Sequence, residues 1–215
     1  MKQIQPWMPE KLEITENLDC LKAAAESDEP VFGKLIKKTD AETEDFSILR
    51  FSKIRFENCS FLECSFEKCE FTDVIFQSCN FSNCVFKDTY FDRCLIRTSK
   101  GTGADFSGST IKNVSILDSC FNYANFDNSK LEKVKVENSE LNHGNISQCR
   151  CKEVEWDKVQ LNGASFFKTF LTGMDFTTCS INGLVLADDC RELKGAVVDL
   201  YQAAELAKRL GVVVK

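Results

Sequence analysis

Apolar residues recur every five positions through most of this chain, and that spacing rules out most folds. Phe stands at 46, 51, 56, 61, 66, 71, 76, 81, 86 and 91, then at 106, 121, 126, 166 and 176 in the same frame, fifteen of the eighteen Phe present. Of the twenty-nine members of this series from Phe46 to Leu186, only Gly101 lacks an apolar side chain. A second series runs two residues ahead of each centre. Its twenty-three members from Cys59 to Thr169 are all Cys, Ser, Ala, Val, Thr or Gly.

Five helical steps of about 100° leave successive centres about 140° apart around the axis, so no helical face results. One long strand fails as well, because side chains alternate and a shift of five sends every second Phe into water. The chain must therefore turn once per repeat. Each repeat is a short extended segment with two residues inside, followed by a corner that restores the phase. If four corners of about 90° close a coil, each coil rises by the ~4.8 Å spacing of a β-ladder, and the series makes about seven coils and a rod of ~35 Å.

Ala104-Asp105-Phe106-Ser107-Gly108, Ala124-Asn125-Phe126-Asp127-Asn128 and Cys79-Asn80-Phe81-Ser82-Asn83 resemble the repeat of the pentapeptide-repeat proteins, A-[DN]-[LF]-x-x. The resemblance covers Asp45 to about Asp188. It implies an all-β fold, a right-handed quadrilateral β-helix of about seven coils. Small residues two before each centre fit that picture, since a narrow lumen has no space for a second large side chain. The expected division is 1–45 as an irregular cap over the open first coil, 46–187 as the β-helix, and 188–215 as a carboxy-terminal helix and strand.

In that last segment Asp199 reads as an N-cap with Gln202 at N3, and Gly211 as the terminating residue. Leu200, Ala203, Ala204, Ala207 and Leu210 form one stripe, and Val212-Val213-Val214 follows as a short strand. Leu193 to Asp199 and Tyr201 to Val214 look like the carboxy-terminal module of the Qnr-type quinolone-resistance proteins, especially chromosomal forms from Gram-positive bacteria. The resemblance implies a homodimer joined end to end through this module, with Leu200, Leu206, Leu210 and Val213 as apolar contacts. It further implies a rod similar to duplex DNA in width and charge that binds DNA gyrase or topoisomerase IV and protects it from quinolones. No long loop breaks the five-residue frame. Arg97 to Gly103, which spans the failed centre, is the nearest candidate for a loop, and a locally irregular coil is its other reading.

Charge argues against direct nucleic-acid binding, since the net is −6 and the rod from 46 to 186 holds seventeen acidic against sixteen basic residues. Distributing repeats over four faces in rotation puts −4 on the face centred on Phe46, Phe66 and Phe86, and +3 on the next. Asp45, Asp105 and Asp127 on the acidic face are the candidate partner-binding residues. The near-neutral rod also fits an alternative function, a scaffolding protein with an unrelated partner.

Twelve Cys without an export signal read as free thiols. Eight of them fall at the small-residue site, where neighbours such as Cys59 and Cys64 sit on different walls, which does not suit zinc, while Cys59/Cys79 and Cys64/Cys84 lie on adjacent coils within reach of a disulfide and are expected to be reduced. His143 is the only His and has no partner for acid–base work. Phosphate loops and nucleophile elbows are missing from the sequence. The expectation is therefore a non-enzyme without cofactor or metal. Without an apolar segment long enough for a signal or a membrane span, the expected location is the cytoplasm.

Overall fold

A computed structural model describes residues 5–27 and 29–214. The amino-terminal stretch read above for an export signal begins at residues 1–4, which lie outside the described residues. The fold is an all-β solenoid of about seven coils with a short carboxy-terminal helix. Register gives the coil length directly: Glu70 pairs with Tyr90, Thr110 with Tyr90 and with Lys130, and Lys130 with Arg150, so four five-residue repeats make one turn. All pairing is parallel, as a solenoid requires.

Regular strands lie mainly on two adjacent faces. These are β1 (Glu13–Thr15), β2 (Val31–Phe32), β3 (Lys34–Lys37), β4 (Asp40–Glu42), β5 (Arg50–Ser52), β6 (Arg55–Glu57), β7 (Ser60–Leu62), β8 (Glu70–Gln77), β9 (Tyr90–Arg97), β10 (Thr110–Leu117), β11 (Lys130–Glu137) and β12 (Arg150–Asp157), with only β4 and β7 outside the main sheet. On the other two faces single bridges stack at the same interval, as in Asn80, Lys100, Cys120, Glu140 and Gln160. Corners are built by the residue two after each centre, which sits in the left-handed region, as at Asn58 (φ 54°), Asn83 (φ 57°) and Asn128 (φ 56°). Asn tolerates that region better than most residues.

Phe rings stack along the axis and meet edge-on around the coil. Phe51 and Phe71 lie 4.6 Å apart at 3°, and Phe66 and Phe86 5.0 Å apart at 6°, whereas Phe61 meets Phe66 at 82°. Both arrangements suit the ring quadrupole. Residues at the small site do more than leave space. Cys69 Sγ, Cys84 Sγ and Cys149 Sγ donate to the carbonyls of Phe46, Phe61 and Phe126 at 2.9–3.0 Å, and Thr89, Ser109, Ser129 and Thr169 hydroxyls do the same one coil below. Each small donor thus satisfies a carbonyl of the preceding coil.

Gly101 does not open a loop. Lys100 pairs in register with Asn80 and Cys120, and a Cβ on Gly101 would meet Phe121 Cε1 at 2.2 Å. The missing side chain is the space that Phe121 occupies.

Both ends differ from the sequence reading. The ladder reaches back to Glu13, ahead of the expected boundary at Phe46, with Val31 and Ile36 as buried members of the same series. Between β1 and β2, α1 (Asp19–Ser27) buries Leu21 and Ala24 against the first coil. At the other end residues 188–198 complete a further coil with two extra residues, pairing Asp175 with Val197. Glu192 absorbs the extra length: its buried Oε1 accepts from the N–H groups of Lys168 and Ala187 at 2.8 and 3.1 Å. Past the helix α2 (Leu200–Arg209), Val212–Val214 form no strand, contrary to the sequence reading.

Candidate functional site

The solenoid presents four outer faces and two ends, and the candidate residues divide between one face and one end. Asp45 and Asp105 stand in the same column, linked by bridges through Ser65 and Val85. Their position just before a centre has a local cause. The Oδ1 of Asp105 accepts from Ser107 N at 2.9 Å, that of Asp45 from Ser47 N at 2.9 Å, and Asn80, Asn125 and Asn145 do the same. Asp or Asn there closes an Asx turn into the next corner. Asp105 also accepts from Asn125 Nδ2 at 2.9 Å, and Asn125 from Asn145 Nδ2 at 2.9 Å, an amide ladder down the face. Asp127 lies one column over and accepts from Gln148 Nε2 at 3.3 Å.

The three carboxylates therefore share a face without forming a cluster, and two of them hold turns. Hydrogen bonds from the side chain and backbone of Ser47 keep the Asp45 carboxyl below its usual range, so it is charged at neutral pH. On the same face Glu44, Asp88 and Asp188 are exposed, while Glu67 is paired with Lys68 at 2.8 Å.

The opposite pair of faces holds features that the repeat pattern hides. On the second face Asp73 is buried and bound at both oxygens by Arg93, at 2.8 and 2.9 Å. On the fourth, Asn122, Asn142 and Asn162 form a ladder in which each Oδ1 accepts the next backbone N–H, and Tyr123 stacks on His143 at 5.1 Å. His143 lies over Gly163, where a Cβ would come within 2.5 Å of Nδ1.

At the carboxy-terminal end α2 begins with the expected capping box, Asp199 accepting from Gln202 N at 2.8 Å and Gln202 Oε1 from Asp199 N at 2.9 Å. The helix docks on its own solenoid through polar side chains. Gln202 Nε2 donates to the carbonyls of Phe176 and Cys179 at 2.8 Å each, and Arg209 donates to that of Leu184. Leu206 turns inward and packs against the core, whereas Leu200, Tyr201, Leu210 and Val213 are 81%, 83%, 62% and 79% exposed. Three of the four expected contact residues thus face outward on an uncovered apolar end, joined by Tyr201, Val212 and Val214. The sequence signal for Tyr201 was its place beside Leu200, but it lies off the aliphatic stripe.

All the described Cys are free, and burial pushes the thiols of Cys69, Cys84 and Cys94 up to about 12. Such thiols are hydrogen-bond donors in the wall and poor nucleophiles. Among the described residues no helix is long and apolar enough to cross a membrane.

Register, central Phe columns and donor-bearing small sites together define the class: the chain is a pentapeptide-repeat β-solenoid. A family model described as Pentapeptide repeat region matches residues 49–126. No curated protein matches in sequence. Two trypsin-treated variants of QnrB1, a plasmid-mediated fluoroquinolone resistance protein, are similar at 26% and 25% identity with TM-scores of 0.53 and 0.58, each over 95% of this chain and 98% of theirs. Full-length QnrB1 is 20% identical with a TM-score of 0.47, over 83% of this chain and all of its own.

Proposed function

We propose that this protein is a non-enzymatic rod that binds a type II topoisomerase, DNA gyrase or topoisomerase IV, and lowers quinolone susceptibility. The observation that carries the reading is the similarity to QnrB1, which extends over 95% of this chain and 98% of the chains matched, more than the repeats alone. A generic solenoid needs only the coils. The uncovered apolar end supports a homodimer, because Leu200, Tyr201, Leu210 and Val213 gain burial only from a second surface. In this reading the first face, with Glu44, Asp45, Asp88 and Asp127, supplies the negative potential that draws the rod to a DNA-binding groove, and the protein works in the cytoplasm.

The near-neutral balance of the repeats favours the second reading, a scaffold for an unrelated partner. Expression in a quinolone-sensitive bacterium distinguishes the two. The topoisomerase reading predicts a rise in the minimal inhibitory concentration of a fluoroquinolone and none for a ribosome-targeting drug. Unchanged susceptibility at confirmed soluble expression would favour the scaffold.

A further inference from the structure

A repeating bond stitches the wall of the solenoid on its second face. The N–H groups of Glu70, Tyr90, Thr110, Lys130 and Arg150 each donate to a carbonyl of the preceding coil, all at 2.9 Å. Among the described residues that series stops at Arg150: the Phe170 N–H makes no such bond, and no bridge joins β12 to residues 170–177. The third face breaks at the same level. Asn138 N–H donates to the Asp157 carbonyl at 3.0 Å, but its counterpart Lys158 N–H reaches Thr178 Oγ1 instead, at 3.0 Å. That hydroxyl donates in turn to Asp157 Oδ1 at 3.1 Å. On the fourth and first faces the ladder continues, with Ser180 N–H on the Val159 carbonyl at 3.0 Å and Val185 N–H on that of Ala164 at 2.9 Å.

The cause is written in the sequence. Small residues hold the site two before each centre as far as Thr169, and the next member is Met174, which is buried. One coil away on the same face stands Trp156, the largest of the centres. Its ring lies 6.4 Å from that of Phe176, whereas Phe51 and Phe71 stack at 4.6 Å and Phe61 and Phe81 at 5.9 Å. A narrow lumen has no slack for both bulky side chains, and the wall bonds are what give way. Beside the slit Cys151 is half-buried, while every other centre from Phe46 to Leu186 is buried. A Cβ on Gly173 would meet nothing within 4 Å, although one on Gly163 would run into His143.

Beyond the slit the chain is tied to itself. Leu171, Gly173 and Phe176 N–H groups donate to the carbonyls of Glu192, Gly195 and Val197 at 2.8–2.9 Å, and Gln202 bonds those of Phe176 and Cys179. We propose that residues 170–214 swing as one body away from β12, hinged on the ladder of the fourth and first faces and latched by Thr178. Opening costs the two Thr178 bonds and no ladder bond on the second or third face, because none is formed there. The swing tilts the exposed end of α2 against the rod, and it does not depend on the topoisomerase reading.

Two measurements on the full-length protein test the hinge. In amide hydrogen exchange followed by NMR, Phe170 should exchange about 100-fold faster than Arg150, while Leu171, Gly173 and Phe176 stay protected. In alkylation by fluorescein maleimide, quantified at each Cys by mass spectrometry, Thr178→Val should speed labelling of Cys151 about tenfold and leave that of Cys120 unchanged. Thr178 is exposed, so this change leaves the core intact. Equal exchange at Phe170 and Arg150 would remove the slit, and an unchanged Cys151 rate would remove the latch. Loss of protection at Leu171, Gly173 and Phe176 would mean that the coil frays rather than swings. Any one of these results overturns the proposal.

Discussion

At the scale of single residues, each repeat position answers a separate physical demand. Gly101 shows how tightly they interlock. Adding a methyl group there should cost roughly 1–3 kcal/mol by overpacking against Phe121. Phe121→Ala alone should cost about 3–5 kcal/mol through the cavity it leaves. In the double variant the clash has gone, so the losses should fall short of their sum when measured by denaturant unfolding. Strict additivity would mean that Phe121 does not fill the Gly101 space. Asp73 gives a second residue-scale test. Burial alone would raise its carboxyl, but the bonds from Arg93 and the Trp7 N–H outweigh this and hold it below the usual range. A carboxyl with a depressed folded pKa adds stability above its unfolded value of ~3.9 and loses it as pH falls through the folded one. The melting temperature of the wild type should therefore drop more steeply below about pH 4 than that of Asp73→Asn. Parallel curves would remove Asp73 from the account.

Among elements, the coil is the unit, and its phase is what the sequence must preserve. One residue inserted after Asn83 should misplace every later centre and broaden or abolish the cooperative melt followed by circular dichroism, whereas a copied coil of twenty residues in the same place should be tolerated. Similar melts for both would contradict a ladder whose register step is four repeats. The last coil does accept two extra residues, but only with Glu192 supplying the acceptor that Lys168 and Ala187 would otherwise lack. The central Phe and the small sites were legible because they repeat. The donor role of Cys69 or Thr89 was not, since each partner carbonyl lies twenty-three residues back on another coil. Helix α1 escaped notice because it buries only Leu21 and Ala24 and leaves no stripe to read. Candidate-site residues were legible as surface positions, but the turn-closing duty of Asp105 required the Ser107 N–H and Asn125 to be seen in place. Leu206 and Leu210 share an apolar character in sequence. Only docking by Gln202 and Arg209 decides that the first turns in and the second out.

For the whole molecule, the proposed function rests on the exposed end and the charge pattern. Sedimentation should show the wild type as a dimer, and Leu200→Glu with Leu210→Glu as a folded monomer, because both side chains project from α2 into solvent in the single chain. A wild type that stays monomeric at high concentration would leave α2 as a cap. The topoisomerase reading is tested most directly by titrating purified protein against purified DNA gyrase and topoisomerase IV over a range of salt. The account predicts saturable binding that weakens as salt rises, and a loss of affinity for Asp88→Lys with Asp127→Lys, which reverses charge on the first face and spares the turn held by Asp105. No binding by the wild type at low salt, with the protein folded, would contradict it.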